Sequence, residues 1–470
     1  MSIPFPEKPF FSGNFAPVSF EADAPDLPLR GELPKGLAGT LYRNGPNPQF
    51  APRDQNHHWF IGDGMIHAFH VADGRVSYRN RWVRTPKWEA EHAAHKALFG
   101  SWGNPMTSDS SVVGKDGGVA NTNIVWHAGR LFALEEAHRP FALDPDSLAA
   151  LGYCDFAGAF KGARFTAHPK IDPETGEMIF FAYSAAGHFT PTLGYGVIDN
   201  TGKLVRYDQF DAPYASMVHD FMVTRDYVLF PVLPLTGSMP RAMAGKPAYA
   251  WEADKRSYVG VMRRDASVDS VRWFECDPCY VFHPMNAYQD GDKIVGDVMQ
   301  YEAAPLFTDP DGRPGDPAKA VAKLTRWTFD LAANTDSFKR ETIDDLSAEF
   351  PRFDERFAGL HYRHGFFAAS SAREVLDRFD MLAHIDLKTG KRSVYQLPAG
   401  DVVSEPIFVP RGEGAPEGDG YLLATVYRGA EHRSDLAVFD AKDLEPGPLA
   451  VAELSTRVPF GFHGNWRPAA

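Results

Sequence analysis

A recurring turn constrains this chain more than any other feature. Short runs rich in β-branched and aromatic residues are separated by Asp with Gly or Thr-Gly, as in HVADGRVSYRNRW, KIDPETGEMIFFAY, VIDNTGKLVRYD and HIDLKTGKRSVYQL. Asp and Gly accept the positive φ that tight hairpin turns require. Segments such as EMIFFAY, YVLFPVLPL and GYLLATVY are apolar on alternate positions or throughout, as half-buried and buried strands are. Long helical periodicity is scarce, and the 41 glycines and 37 prolines are spread along the whole chain. Hairpins recurring at intervals of roughly 40–70 residues predict repeated antiparallel sheets. A β-propeller fits best, because its closure leaves only short sheet edges. The copies are too diverged to count blades. A single domain over 1–470 is expected, with exposed loops at Thr308–Ala322 and Gly412–Gly420. Short helices are expected around Glu89–Phe99 and Pro317–Lys323.

Charge and composition exclude several function classes. The net charge is −13, from 48 basic and 61 acidic residues, with no Lys/Arg cluster, which argues against nucleic acid as a partner. The N-terminus lacks a basic start followed by an apolar stretch, so no secretory signal is expected. The longest apolar run, Tyr227–Leu235, is broken by proline and falls well short of the roughly 20 residues of a membrane helix. A soluble, cytoplasmic protein is expected, either monomer or homodimer. No GxGxxG follows a strand, and neither a phosphate-binding GxxxxGK[ST] loop nor a GxSxG elbow occurs. Cys276 and Cys279 form a CxxC without a second pair, which reads as two buried thiols rather than a zinc site. Pro231–Trp251 reads as an ordinary loop rather than an apolar lip.

Seventeen histidines invite a metal hypothesis. Three HxxH pairs (His67/His70, His92/His95, His361/His364) lack the HExxH context of a zinc protease. Four others stand alone in apolar, strand-like segments: His168 in FTAHPKIDP, His219 in SMVHDFMVT, His283 in YVFHPMNAY and His463 in FGFHGNW. On a propeller, such residues from different blades converge on the central axis. They would form a nitrogen-only site suited to iron, copper or zinc. Four hydrogen-bonded core histidines are the alternative. Glu136, Glu349 and Glu405 also lie beside apolar stretches, where a carboxylate is costly unless paired. Metal-bound histidines commonly donate their second N–H to such a group, and exposed strand ends are the competing explanation.

These residues bring a resemblance into view. From GTLYRNGPNP to FHGNW, the chain resembles the carotenoid cleavage oxygenase family, most specifically in GDGMIHAF, ANTNIVWHAGRLFALEE, TAHPKIDPETGEM, VHDFMVT, VFHPMNAY, EPIFVPR and EGDGYLL. The resemblance implies a seven-bladed propeller with a helical and loop cap over axial ferrous iron, which uses O2 to cleave a conjugated alkene into two carbonyl fragments without an organic cofactor. It implies His168, His219, His283 and His463 as iron ligands and Glu136, Glu349 and Glu405 as the carboxylates that orient three of them. It also implies that the Thr122 methyl lies near an open coordination position.

RWVRTPKWEAE, KALFGSW and RWFECDPCYVFH resemble the bacterial lignostilbene and isoeugenol branch most, with Phe60 and Phe307 as substrate-facing aromatics. That branch carries a Tyr and a Lys for a phenolic hydroxyl. Here Trp102 and Glu135 stand at those positions. Glu135 is expected to take the phenol's proton as a general base. The expected substrate is an apolar olefin, either a stilbene or 4-alkenylphenol or, alternatively, an apocarotenoid. A propeller that only binds partners would have no use for the four histidines, and a propeller hydrolase would hold a hard cation with carboxylates instead.

Overall fold

The computed structural model describes residues 4–53, 57–102, 104–372 and 379–469. The recurring turns form as their composition dictates. Asp172 accepts N–H bonds from Glu174 and Thr175, Asp199 from Thr201 and Lys203, and Asp386 from Lys388 and Thr389. Gly176, Gly202 and Gly390 follow at φ of 71°, 85° and 69°. A Cβ is strained there, so the Asp-to-Gly spacing fixes the turn before any packing occurs.

Strands flank each turn and assemble into antiparallel sheets. Among the described residues seven sheets have four or more strands, and these are the seven blades of a β-propeller. An eighth sheet is a two-stranded hairpin, Leu235–Gly237 with Tyr249–Trp251. Within a blade the middle strands are covered on both faces and read as continuous apolar runs. Met178–Ala182 and His364–Ser370 are wholly buried. The outermost strands face water on one side, so Leu204–Asp211 alternates partly buried and exposed residues.

The chain forms two compact units. One comprises residues 1–167, 423–439 and 448–470. In it the C-terminal strand Gly464–Pro468 pairs with Gly39–Pro46 and completes the sheet that the N-terminal strands begin. The other comprises residues 168–422 and 440–447 and contains four consecutive four-stranded sheets, one of which is interrupted by the two-stranded hairpin.

The segment 308–322 is largely exposed, as expected, whereas 412–420 is exposed only in its first half, and Gly418 and Gly420 are buried. The helix expected at Glu89–Phe99 instead spans Pro86–Ala94. Pro86 starts it, the Thr85 hydroxyl caps Trp88 N–H, and His95 at φ 53° ends it. Pro317–Lys319 makes only one 3-10 turn. Pro231–Trp251 is more ordered than a loop, carrying the hairpin and the short helix Met239–Met243. Among the described residues no helix is long and apolar enough to cross a membrane.

Nothing lies within 4 Å of a Cβ built on Gly390, so its replacement tests the turn geometry alone. Gly390→Ala should cost about 1 kcal/mol and Gly390→Asn measurably less, read as urea midpoints.

Candidate metal centre

Each candidate histidine lies on, or one to three residues before, a strand at the edge of its sheet. His168 precedes Lys170–Ile171, His219 precedes Met222–Val223, His283 lies within Tyr280–Asp290, and His463 precedes Gly464–Pro468. Local chemistry aims them. Pro284 has no N–H to give the ladder, and the register of its strand shifts on both sides of it, next to His283. His463 is set by close backbone packing. Asn44 N–H donates to His463 O at 2.8 Å and Phe462 N–H to Asn44 O at 3.0 Å. Gly45 and Gly461 meet there, and a Cβ on Gly45 would lie 2.5 Å from the Gly461 Cα.

The structure brings the four histidines together. All four are buried, and one ligating atom from each lies within 4.8 Å of every other. His219 Nε2 is 3.1 Å from His168 Nε2 and 3.1 Å from His283 Nε2. The His283 Nδ1 faces the Glu349 carboxylate at 2.5 Å. With the proton on Nδ1, the His283 Nε2 carries a lone pair toward the cluster. Nitrogens about 2.1 Å from one ion, at right angles to each other, are separated by about 3 Å. The donor set and the spacing therefore fit a metal ion.

Glu349 is placed by a β-bulge between Glu349 and Arg352, with Phe350 at φ 54°. Its carboxylate also accepts bonds from Tyr301 OH at 2.9 Å and Phe350 N–H at 2.7 Å. Burial, then the Glu349 charge, hold the Tyr301 hydroxyl well above its ordinary pKa, so it remains a donor. Glu405 is buried, with the Arg352 guanidinium 3.4 Å away. Glu136 is partly buried, two residues beyond the strand Arg130–Leu134. His168 Nδ1 lies 3.8 Å from Asp220, whose other oxygen pairs with Lys170 at 2.7 Å. Asp220 is a carboxylate that sequence reasoning missed, although it directly follows His219.

Thr122 is tied to the same region. His463 N–H donates to Thr122 O at 3.1 Å, and the Thr122 hydroxyl donates to Asn121 Oδ1 at 3.0 Å. Asn121 in turn donates to the carbonyls of Phe60 and Gly62. Phe60 and Trp102 are brought together at 5.9 Å, and Phe60 packs edge-on to Phe462 at 5.4 Å. Phe462 and His58 were not singled out from sequence. Phe462 was detectable as the neighbour of His463, and His58 lies two residues before Phe60. The His58 ring is 5.0 Å from Trp102, and its Nδ1 accepts from Phe60 N–H. Phe307 is buried in the segment after Lys293–Tyr301.

The Asp63 of the GDG segment is held by a buried triad. Lys87 Nζ lies 2.6 Å from Asp63 and 2.8 Å from Glu91, fastening the helix Pro86–Ala94 to the segment that carries Phe60.

Glu135 has a different setting from the one expected of a general base. Its carboxylate accepts from Val119 N–H at 2.7 Å and Ala120 N–H at 3.1 Å and pairs with His138 Nδ1 at 3.1 Å. Burial alone would raise its pKa, but the His138 charge and the two amides outweigh burial and hold it low. A carboxylate with a lowered pKa and occupied lone pairs is a poor proton acceptor.

The comparisons agree with this site. The family model described as RPE65, retinal pigment epithelial membrane protein, matches residues 15–468, and the chain belongs to this family of carotenoid cleavage oxygenases. It is thereby an alkene-cleaving oxygenase that uses O2, with a four-histidine metal site. Among similar proteins, isoeugenol monooxygenase of Pseudomonas nitroreducens is 41% identical, with 98% of each chain covered. Lignostilbene-alpha,beta-dioxygenase isozyme III of Sphingomonas paucimobilis is 39% identical, covering 99% of this chain and 98% of that one. The crystal structure of Pseudomonas brassicacearum lignostilbene dioxygenase superposes with a TM-score of 0.96 at 38% identity over 100% of both chains.

The Glu135–His138 pair predicts a pH signature. Burial alone would lower the His138 pKa, but the Glu135 carboxylate outweighs it and raises the value. His138 therefore contributes its full stabilisation below its unfolded pKa of about 6.5 and loses it as pH rises through the raised folded value. Glu135 contributes above the ordinary carboxylate range. His138→Gln should lower the melting temperature most at a pH near 6, by an amount equivalent to roughly 1–3 kcal/mol. The gap should narrow toward pH 9, and a pH-independent gap would contradict the pairing.

Proposed function

We propose that this chain is a non-haem Fe(II) oxygenase that cleaves the side-chain alkene of a stilbene or 4-alkenylphenol and releases an aromatic aldehyde. The observation that carries the reading is the convergence of four buried imidazoles beside an aromatic cluster that adjoins His463. His168, His219, His283 and His463 would hold the metal, and Glu349, Glu405 and Glu136 serve as its orienting carboxylates. A ferrous ion held there would supply the electrons that let ground-state O2 react with a closed-shell alkene.

The remaining tasks fall to the protein. Glu349 keeps the His283 proton on Nδ1 and so keeps Nε2 available as a ligand. The Thr122 hydroxyl is turned to Asn121, which leaves its methyl to shape the space beside the histidines. Phe60, Trp102 and, in our reading, Phe307 grip a flat arene by ring contacts and exclude water. Each ring pair is worth about 0.5–1.5 kcal/mol beyond area burial. Glu135 acts here as an ionic brace for the 118–120 turn rather than as the base.

A second reading is the same cleavage of an apocarotenoid. It is favoured by one observation: the position where the resemblance expects a phenol-binding lysine holds a carboxylate already committed to His138.

Two measurements test these assignments. His283→Ala should keep the β-sheet circular dichroism but lose stoichiometric iron and all cleavage. Glu349→Gln should weaken iron binding by roughly 10–100-fold. Retained activity in His283→Ala would contradict the assignment. Offered a hydroxystilbene, isoeugenol, its O-methyl ether and an apocarotenal, the iron-loaded enzyme should give aromatic aldehyde by mass spectrometry. Cleavage of the apocarotenal alone would establish the second reading.

A further inference from the structure

The CxxC motif plays no part in the proposed reaction, yet its surroundings are specific. Cys276 ends the strand Arg272–Cys276, and Cys279 directly precedes the strand Tyr280–Asp290, which carries His283. Both residues are buried, with exposures of 7% and 1%. Their Sγ atoms lie 4.0 Å apart across a turn made only of Asp277 and Pro278. Ser257, directly opposite Cys276 in the sheet, accepts Cys279 N–H at 3.1 Å and holds the second thiol against the first.

Two guanidinium groups fasten the same turn. Arg256 Nη1 reaches Asp277 Oδ1 at 2.7 Å, and Arg340 Nη1 donates to Asp277 O at 3.4 Å. The Asp277 side chain is 77% exposed, so solvent reaches the turn that covers the sulfurs. A CxxC pair beside arginine charges is a setting that favours the reactive thiolate.

We propose that Cys276 and Cys279 form a site of reversible two-electron oxidation by a hydroperoxide, closing a disulfide across the turn that enters the His283 strand. The thiolate of the pair attacks the peroxide oxygen. An S–O bond forms, the O–O bond breaks, and the departing hydroxide takes a proton to become water. The second sulfur then displaces the sulfenic oxygen. The S–S bond forms, the S–O bond breaks, and a second water leaves. Two thiols have given up two electrons and two protons, and one hydrogen peroxide has become two waters. A low-molecular-weight dithiol reverses the step by exchange.

The two sulfurs share one contact in which either can donate, and the Arg340 charge favours a thiolate in the pair. Closure needs the sulfurs to approach from 4.0 Å to about 2.05 Å, a movement within reach of side-chain rotation. The ring so closed spans four residues, the short-loop limit at which a cross-link adds least stability, so a permanent staple is not its use.

The test uses the full chain and hydrogen peroxide. After a timed exposure, the protein is unfolded in a maleimide and mapped by peptide mass spectrometry. The expected product carries Cys276 and Cys279 unalkylated and two hydrogens lighter, with Cys154 still alkylated, and dithiothreitol restores both adducts. The pair should oxidise about tenfold or more faster than Cys154, the lone buried thiol in the same sample. Cys276→Ser and Cys279→Ser should each abolish the disulfide, and in at least one of them the remaining thiol should be trappable as a sulfenic acid. Oxidation no faster than Cys154, or sulfinic and sulfonic products without a disulfide, would overturn the proposal. Neither readout depends on the substrate or on iron, so it stands or falls separately from the proposed reaction.

Discussion

Imidazole nitrogens crowded into one buried spot are the constraint on which the rest of the structure turns. Two Nε2 atoms lie 3.1 Å from a third, and His283 is held by a carboxylate on its far side. Buried imidazoles gathered this closely form a nitrogen donor set suited to one cation. The propeller makes this crowding achievable, because the edge strands of four sheets each bring one histidine, on the strand or within three residues before it.

Features around the cluster follow from the need to fix those rings. The register shifts at Pro284 and the bulge at Glu349 both disturb strands that would otherwise pair regularly. Each aims a side chain that a regular strand would point elsewhere. Tyr301 and the Phe350 amide hold Glu349 in turn, so orientation passes from the sheet to the carboxylate and then to the histidine. On the His463 side the work is done by backbone contact, where Gly45 and Gly461 allow two chains to approach more closely than any side chain permits.

Much of this was legible in the sequence, for identifiable reasons. The Asp-to-Gly turns are local, so their composition determined their geometry and announced a repeated antiparallel fold. Lone histidines and glutamates in apolar segments were conspicuous because burial penalises them. Blade number was legible only through the family resemblance and not from the turns themselves, since it depends on pairing between distant segments such as Gly39–Pro46 and Gly464–Pro468. The setting of Glu135 was hidden for the same reason. Its fate is decided by His138 three residues on and by two amides fifteen or sixteen residues back, none of which marks the carboxylate as occupied. Asp220 was overlooked because its position beside His219 gives no hint that it faces His168 instead.

The central claim is that the four imidazoles share one iron. Anomalous diffraction at the iron edge, from crystals of the iron-loaded protein, tests it most directly. The account predicts a single strong peak surrounded by one ring nitrogen each of His168, His219, His283 and His463, with no carboxylate among the protein ligands. Iron located elsewhere, or the four nitrogens bridged by ordered waters with no anomalous signal between them, would contradict it.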